Sequence, residues 1–211
     1  MSSAAGSTPE DGALVINLAS SIDATEAEGP GLRYALWVQG CAIRCPGCCN
    51  PHLFHARPNR LVTVDELLGR ILASKARRPA LEGITLLGGE PFEQDVPLAA
   101  LARGARRAGL TVMTFTGHLR EELEARGSPL VPASDLLVDG PYVEALRTTK
   151  RRFVGSTNQR MHFLTDAYRA DDPRFAAPNH AELRMNAEGE IQMVGFPFDR
   201  ILAEFRDRRR G

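Results

Sequence analysis

Neither sign of charge is in excess in this sequence, no apolar run reaches the length of a membrane span, and no cysteine lies outside one short loop. Each absence excludes something. Lys and Arg number 26 and Asp and Glu 26, a formal net charge of zero, so nothing supports non-specific binding to nucleic acid. Crossing a bilayer as a helix takes about 20 consecutive apolar residues, and no secretory signal pattern opens the chain. The expectation is a cytoplasmic protein with no nucleic-acid partner and no membrane partner. No internal repeat stands out beyond an alternation of strands and helices. Cysteines spread over the fold, as a disulfide framework needs, are missing too. The four present are clustered, which suits a reducing compartment. What remains, 43% hydrophobic and 25% charged over 211 residues, is enough for one globular domain with a full core.

The chain is organised around Gly40 to Pro51, which reads Gly-Cys-Ala-Ile-Arg-Cys-Pro-Gly-Cys-Cys-Asn-Pro. Cys41, Cys45 and Cys48 follow Cys-x3-Cys-x2-Cys, and Cys49 comes directly after. Three thiolates on one loop can hold three irons of a four-iron, four-sulfur cluster, whose usual complement is four cysteines. The fourth iron is then open to a non-protein ligand. Cys49 is a poor fourth ligand, since neighbours in sequence seldom aim their sulfurs at one cluster. The spacing resembles the signature of the radical S-adenosylmethionine (SAM) enzymes, in which the cofactor's amino and carboxylate groups occupy the open iron. A structural zinc site made of Cys45, Cys48, His52 and His55 is the other reading of this loop.

Residues 1–12 are small and polar and read as a disordered leader. Ala13 to Ala19 is an apolar run fit for a short first strand. Glu28-Gly29-Pro30-Gly31 makes a turn, and Leu32 to Val38 is a buried strand leading into the cysteine loop. Thr63-Val64-Asp65-Glu66 has the form of a capping box, with Thr63 as N-cap and Glu66 reaching back. Its helix puts Leu67, Leu68, Ile71 and Leu72 on one stripe and ends near Pro79. Ile84 to Leu87 is a strand that ends at Gly88-Gly89-Glu90-Pro91. A helix from Val96 to Ala108 turns Leu98, Leu101, Ala102 and Ala105 inward and closes at Gly109. A strand from Leu110 to Phe115 ends at Thr116-Gly117, and a charged helix spans Leu119 to Arg126. Leu136 to Val138 is a strand ending at Asp139-Gly140-Pro141.

This alternation with short loops predicts an α/β fold of parallel strands with right-handed crossovers. A closed eight-fold barrel takes about 250 residues, so a partial, open (β/α) barrel fits better. The glycine-rich and polar signals all follow strands and should gather at one rim. The predicted core is residues 13–164, and 165–211 form an extension. Within it Ala181 to Phe198 reads as a hairpin, with Asn186 to Gly189 as the turn. Two strands are marginal alone, so they should pack on the domain. Closing the open edge of the barrel is one reading; shaping a substrate entrance is the sharper one.

Gly88 and Gly89 permit close approach of the backbone to a ligand or a positive φ, and Glu90 adds a carboxylate. A plain strand-to-helix turn is the other reading. Downstream of the cysteine motif, Gly-Gly-Glu-Pro resembles the segment that binds the amino group of SAM. Gly29-Pro30-Gly31-Leu32-Arg33, Gln39-Gly40-Cys41 and Cys45-Pro46-Gly47-Cys48-Cys49-Asn50-Pro51 resemble the activating enzymes of glycyl radical proteins. Leu136-Leu137-Val138-Asp139-Gly140 and Gly155-Ser156-Thr157-Asn158-Gln159-Arg160 resemble in particular the activating proteins of anaerobic ribonucleotide reductase. The likeness runs from Ile16 to His162. It departs at Cys49, where an aromatic or histidine is commoner, and at Thr114-Phe115-Thr116, where tryptophan often precedes Thr-Gly.

The resemblance implies a 4Fe-4S cluster on Cys41, Cys45 and Cys48 and SAM as second cofactor. Gly47, Cys49 and Asn50 would line the adenine side. Gly88, Gly89, Glu90 and Pro91 would take the methionine end, and Thr116, Gly117 and Asp139 the rest of the pocket. One electron breaks the sulfonium to methionine and a 5′-deoxyadenosyl radical, which takes a hydrogen from the substrate; the protein positions the cofactors. The implied partners are a glycyl radical enzyme and a one-electron donor of the flavodoxin or ferredoxin type. The same core also serves radical enzymes acting on a small molecule or peptide. Trp37 reads as core rather than a cofactor stacker, and His118 as a surface loop residue, with a catalytic role as its other reading. Lys150-Arg151-Arg152 and Arg206 to Arg210 read as solvated charge.

Overall fold

The computed structural model describes residues 9–185, 189 and 191–196. The chain runs α1 (Pro9–Ala13), β1 (Val15–Thr25), β2 (Leu32–Val38), β3 (Arg60–Thr63), α2 (Val64–Arg77), β4 (Leu81–Gly88), α3 (Asp95–Arg107) and β5 (Thr111–Phe115). It continues through α4 (Arg120–Ala125), α5 (Leu130–Ala133), β6 (Leu136–Asp139), β7 (Arg160–Phe163), α6 (Pro173–Ala176), β8 (Ala181–Met185) and β9 (Ile191–Gly195). The expected leader is therefore cut short at its C-terminal end by α1. Residues 1–8, the turn residues 186–188 and the basic stretch 206–210 lie outside the described residues.

Seven strands form one sheet in the order β3-β1-β2-β4-β5-β6-β7. β2, β4, β5 and β6 are parallel neighbours in chain order. Because each crossover moves one strand in the same direction, the helices fall on one side of the sheet. The period of two in the strands shows it. Tyr34, Leu36, Val38, Ile84, Leu86, Val112 and Leu137 pack with Leu67, Ile71, Leu98 and Leu101 of the helices. The alternate residues Ala35 and Trp37, and Met113, Leu136 and Val138, belong to two other clusters on the open side. This is an arc of a (β/α) barrel with its crossover helices on one face, as the strand-helix rhythm predicts, while the other face meets α6 through Phe175 and β9 through Val194.

The ends of the sheet differ from that expectation. β1 and β3 are antiparallel additions on one side and β7 on the other. β1 is longer than the apolar run suggested, and a register shift between Leu18 and Ser20 changes the face its side chains occupy. Ile16 and Leu18 face the helices while Ile22 packs with Trp37. β7, and not the hairpin, closes the edge beside β6. β8 and β9 form a separate two-stranded ribbon.

Local signals held where they are local. The Thr63 hydroxyl accepts from the Glu66 N–H (3.2 Å), capping α2. The reciprocal half of the box is replaced by a bond from Arg70 to the Glu66 carboxylate (2.6 Å). Leu67 and Ile71 are buried, but Leu72 faces outward. Leu98, Leu101, Ala102 and Ala105 all point into the core, and α3 is preceded by a short 3-10 turn over Pro91–Gln94. Trp37 is core, as read. Among the described residues no helix is long and apolar enough to cross a membrane.

Candidate active site

β2 and β4 lie side by side and run parallel, with Val38 opposite Gly88, so the loops after them emerge together. The two glycines bring them into contact. Gly88 has φ +116°, and a Cβ there would come within 2.4 Å of the Val38 nitrogen; a Cβ on Gly89 would lie 1.9 Å from the Gly40 carbonyl oxygen. No side chain fits at either position. In return Gly89 N–H donates to Val38 O (2.8 Å) and Glu90 N–H to Gly40 O (2.7 Å). The close approach expected for a ligand is here made to the neighbouring backbone. Gly40 N–H and Cys41 N–H bond to the Leu53 and Phe54 carbonyls (2.9 and 3.3 Å), closing the base of the loop. Ala42 N–H bonds to Glu93 Oε1 (2.5 Å), tying it to the segment after Glu90.

Glu90 is 1% exposed. Its Oε1 accepts from Phe92 N–H (3.0 Å) and the Thr116 hydroxyl (2.8 Å), and Oε2 from Gly117 N–H (2.9 Å). Burial pushes this carboxyl up despite the three donors. Glu90 therefore locks the ends of β4 and β5 together, with one oxygen still able to accept more. His118 is half-buried, and its carbonyl takes the Gly140 N–H (2.9 Å).

A cavity of about 570 Å³ opens on this rim, within the size range of small-molecule sites. Cys41, Cys45 and Cys48 line it, and so do Cys49 and Asn50. Gly88, Gly89, Glu90 and Pro91 form a second wall, and Thr116 and Gly117 a third. Two predicted residues are not in the lining. Gly47 lies beside the Glu144 carboxyl. Asp139 is turned away: it accepts from Arg120 N–H (2.7 Å) and from Arg160 Nε and Nη2 (3.0 and 2.5 Å). His162 Nε2 is 3.1 Å from the same carboxylate but forms no directed hydrogen bond with it. Burial alone would raise Asp139, yet Arg160, the Arg120 N–H and His162 together hold it below its ordinary value.

The donor set suits an iron-sulfur cluster. Burial pushes the Cys41 and Cys45 thiols up, while Cys48 falls to about 6, mostly through its contact with Cys49, whose own thiol rises. Among the described residues no three His, Cys, Asp or Glu side chains converge on one point as a single metal ion requires. The zinc set is not assembled, because His55 is exposed and outside the cavity lining. A four-iron cluster meets each thiolate at a different iron and accommodates sulfurs held apart on one loop. Glycine backbone and Glu90 line the same cavity as these sulfurs.

Several site residues escaped the sequence reading. Glu28 lines the cavity, and its Oε1 accepts from Gly195 N–H (2.7 Å). Burial is the main cause that raises its pKa to about 7, and Glu182 nearby adds to it. Its position at the Gly-Pro-Gly turn was the available signal. The hairpin, which the sequence offers as the shape of a substrate entrance, forms part of the wall through Gln192, Met193 and Phe196. Phe196 lies under Arg147 (4.2 Å) and edge-on to Tyr142 (6.3 Å). Deeper in the arc, Arg33 is fully buried and bonds to Thr85 Oγ1, the Ile84 carbonyl and the Tyr168 hydroxyl (2.7, 2.5 and 2.8 Å).

Comparison with known proteins follows the same outline. Residues 27–162 match the family described as a 4Fe-4S single cluster domain. The chain is 36% identical over 141 residues to the anaerobic ribonucleoside-triphosphate reductase-activating protein of Salmonella typhimurium, covering 64% of this chain and 91% of that one. The protein of the same name from Escherichia coli is 32% identical over 143 residues, with the same coverage of each chain. The pyruvate formate-lyase-activating enzyme of Staphylococcus aureus is 48% identical over 69 residues, 32% of this chain and 28% of that one. The family match stops before α6, β8 and β9.

Proposed function

The chain belongs to the family of 4Fe-4S single cluster domains, and on that premise we propose that it is a radical SAM activase that installs a glycyl radical on a partner enzyme. The partner is of the anaerobic ribonucleotide reductase kind, and a flavodoxin- or ferredoxin-type protein supplies the electron. One observation carries the reading: Cys41, Cys45 and Cys48 face the same cavity as Gly88, Gly89 and Glu90.

When bound, the cluster and SAM supply one-electron cleavage of the sulfonium to methionine and a 5′-deoxyadenosyl radical. The chain's own residues do the rest. Cys41, Cys45 and Cys48 hold the cluster, and Cys49 and Asn50 flank the adenine side. Gly88 to Pro91 receive the methionine end. Thr116 and Gly117 are kept in place by the two oxygens of Glu90. Gly47 and Asp139 act from outside the cavity, Asp139 by fixing the start of α4 through the Arg120 N–H. Trp37, Leu87 and Phe115 form an apolar floor that excludes water from a reactive intermediate. Residues 13–164 are the catalytic core in this reading and 165–211 an extension to it, and the thiolate-held cluster suits a reducing cytoplasm.

The test is anaerobic reconstitution. One four-iron cluster per chain is expected, lost in each of Cys41→Ala, Cys45→Ala and Cys48→Ala and kept in Cys49→Ala. Dithionite-reduced protein should convert SAM to 5′-deoxyadenosine and methionine. Iron binding that survives Cys41→Ala and disappears in Cys49→Ala would reverse the ligand assignment.

A further inference from the structure

Among the described residues, the extension closes with the β8–β9 ribbon, and no strand pairs with the outer edge of β9. Gly195 N–H points away from β8, since it donates to Glu28. Pairing in the ribbon is regular, from Ala181 opposite Gly195 to Met185 opposite Ile191. Backbone direction alternates along a strand, so the N–H and C=O groups of Met193 and Ile191 point outward with those of Gly195.

Proteins ordinarily blunt such edges with charge, proline or covering segments, and the other edges here are treated that way. β3 carries Arg60 two residues after Pro58, and β7 carries Arg160 and His162. Ile191-Gln192-Met193-Val194-Gly195 has neither a charge nor a proline. The ribbon is nonetheless held firmly on one face. Val194 packs with Ile22, Ala27 and Trp37, and Glu182 accepts from the Thr25 hydroxyl and Glu26 N–H (both 2.8 Å). The opposite face pairs Leu183 with Met193 and Met185 with Ile191. Leu183, Met185 and Ile191 there are 57%, 70% and 51% exposed. Ile191 and Met193 also line the cavity that holds the three cysteines, so whatever occupies this edge is held beside the site.

We propose that the outer edge of β9 is the docking strand for the partner's acceptor segment. The segment is an extended peptide with apolar side chains on alternate residues, paired to the main chain of Met193 and Ile191. Its side chains lie against Ile191 and Met193, and its glycine is carried across the cavity mouth. The identity of the partner, though not of the edge, rests on the activase reading.

The experiment uses the cluster-loaded full chain and a synthetic peptide of alternating valine and threonine around a central glycine, with lysine at both ends. Amide exchange at Ile191 and Met193 should slow at least tenfold when the peptide is added. Met193→Pro removes the outward N–H at a position where no bond to β8 is lost, as edge strands tolerate, and should weaken peptide binding at least tenfold. Met193→Val keeps the N–H and should bind like the parent. Equal binding by Met193→Pro, unchanged exchange at the two amides, or no binding at millimolar peptide overturns the proposal. So does slowing of the same amides by dimerisation alone, which assigns the edge to a second copy. SAM cleavage by the unaltered chain is measured separately. Its failure beside normal docking sinks the activase reading, and docking failure beside normal cleavage sinks only the inference.

Discussion

Replacing Glu28 by glutamine removes an ionisable group from the cavity wall and keeps its latch, because an amide oxygen still accepts from Gly195 N–H. The carboxyl is raised from its ordinary 4.5 to about 7, first by burial and then by Glu182. In the folded protein Glu28 thus retains a proton that the unfolded chain releases between those two pH values. The resulting stabilisation is complete below pH 4.5 and is lost as pH rises through 7. At 1.36 kcal/mol per pH unit the shift corresponds to about 3 kcal/mol, and about 1–3 kcal/mol once the open cavity beside the carboxyl is allowed for. For a domain of this size each kcal/mol moves the melting temperature by about 2–4 °C. Melting of the parent and Glu28→Gln is followed from pH 4.5 to 8 and the two curves are subtracted, which cancels other titrating groups. The parent should lose roughly 2–12 °C relative to the variant over that range. A difference that stays constant with pH refutes the argument and places Glu28 in contact with solvent.

Three further outcomes follow from buried contacts. Glu90→Ala strands the Phe92 and Gly117 N–H groups; at about 1–3 kcal/mol each it should lower stability by about 2–6 kcal/mol and weaken SAM binding by calorimetry, and an unaltered melting temperature with full SAM affinity removes Glu90 from the rim. Tyr168→Phe deletes the hydroxyl shared by Arg33 and Thr111 (2.8 and 2.7 Å) and should cost about 1–3 kcal/mol in a denaturant titration, with no loss of cluster binding. Asp139→Asn leaves Arg160 with Glu121 as its carboxylate partner. Because Asp139 is held below its ordinary 3.8, the stability it confers is present above that pH and lost as pH falls through its folded value, so the parent-variant gap in melting temperature should close in acid.

Much of the core was readable because its causes are local. The apolar period of two in β2 and β4, the Thr63 cap and the Gly109 stop are each decided within a few residues. The Cys-x3-Cys-x2-Cys spacing is equally local, since one loop carries all three sulfurs. β3 escaped notice because Arg60–Thr63 has too little apolar pattern to declare a strand, and only the edge of β1 recruits it. Leu72 was misplaced by one step of the helical wheel, a matter of where α2 sits on the sheet and not of its composition.

By itself the sequence determined which residues end strands and therefore which share a rim: Cys41, Gly88, Thr116 and Asp139 each fall just after or at the end of one. The tertiary structure alone decided which of them face the cavity. Asp139 is drawn off by Arg160, an ion pair that exists only because β7 lies antiparallel to β6. It also decided that the hairpin leaves the sheet edge and lies over the open face, where Gly195 meets Glu28 across 167 residues of chain. Spacing along a backbone constrains neighbours a few residues apart, whereas contacts between distant segments are settled by which apolar faces remain to be buried. Val194 found its place against Trp37 and Ile22 for that reason.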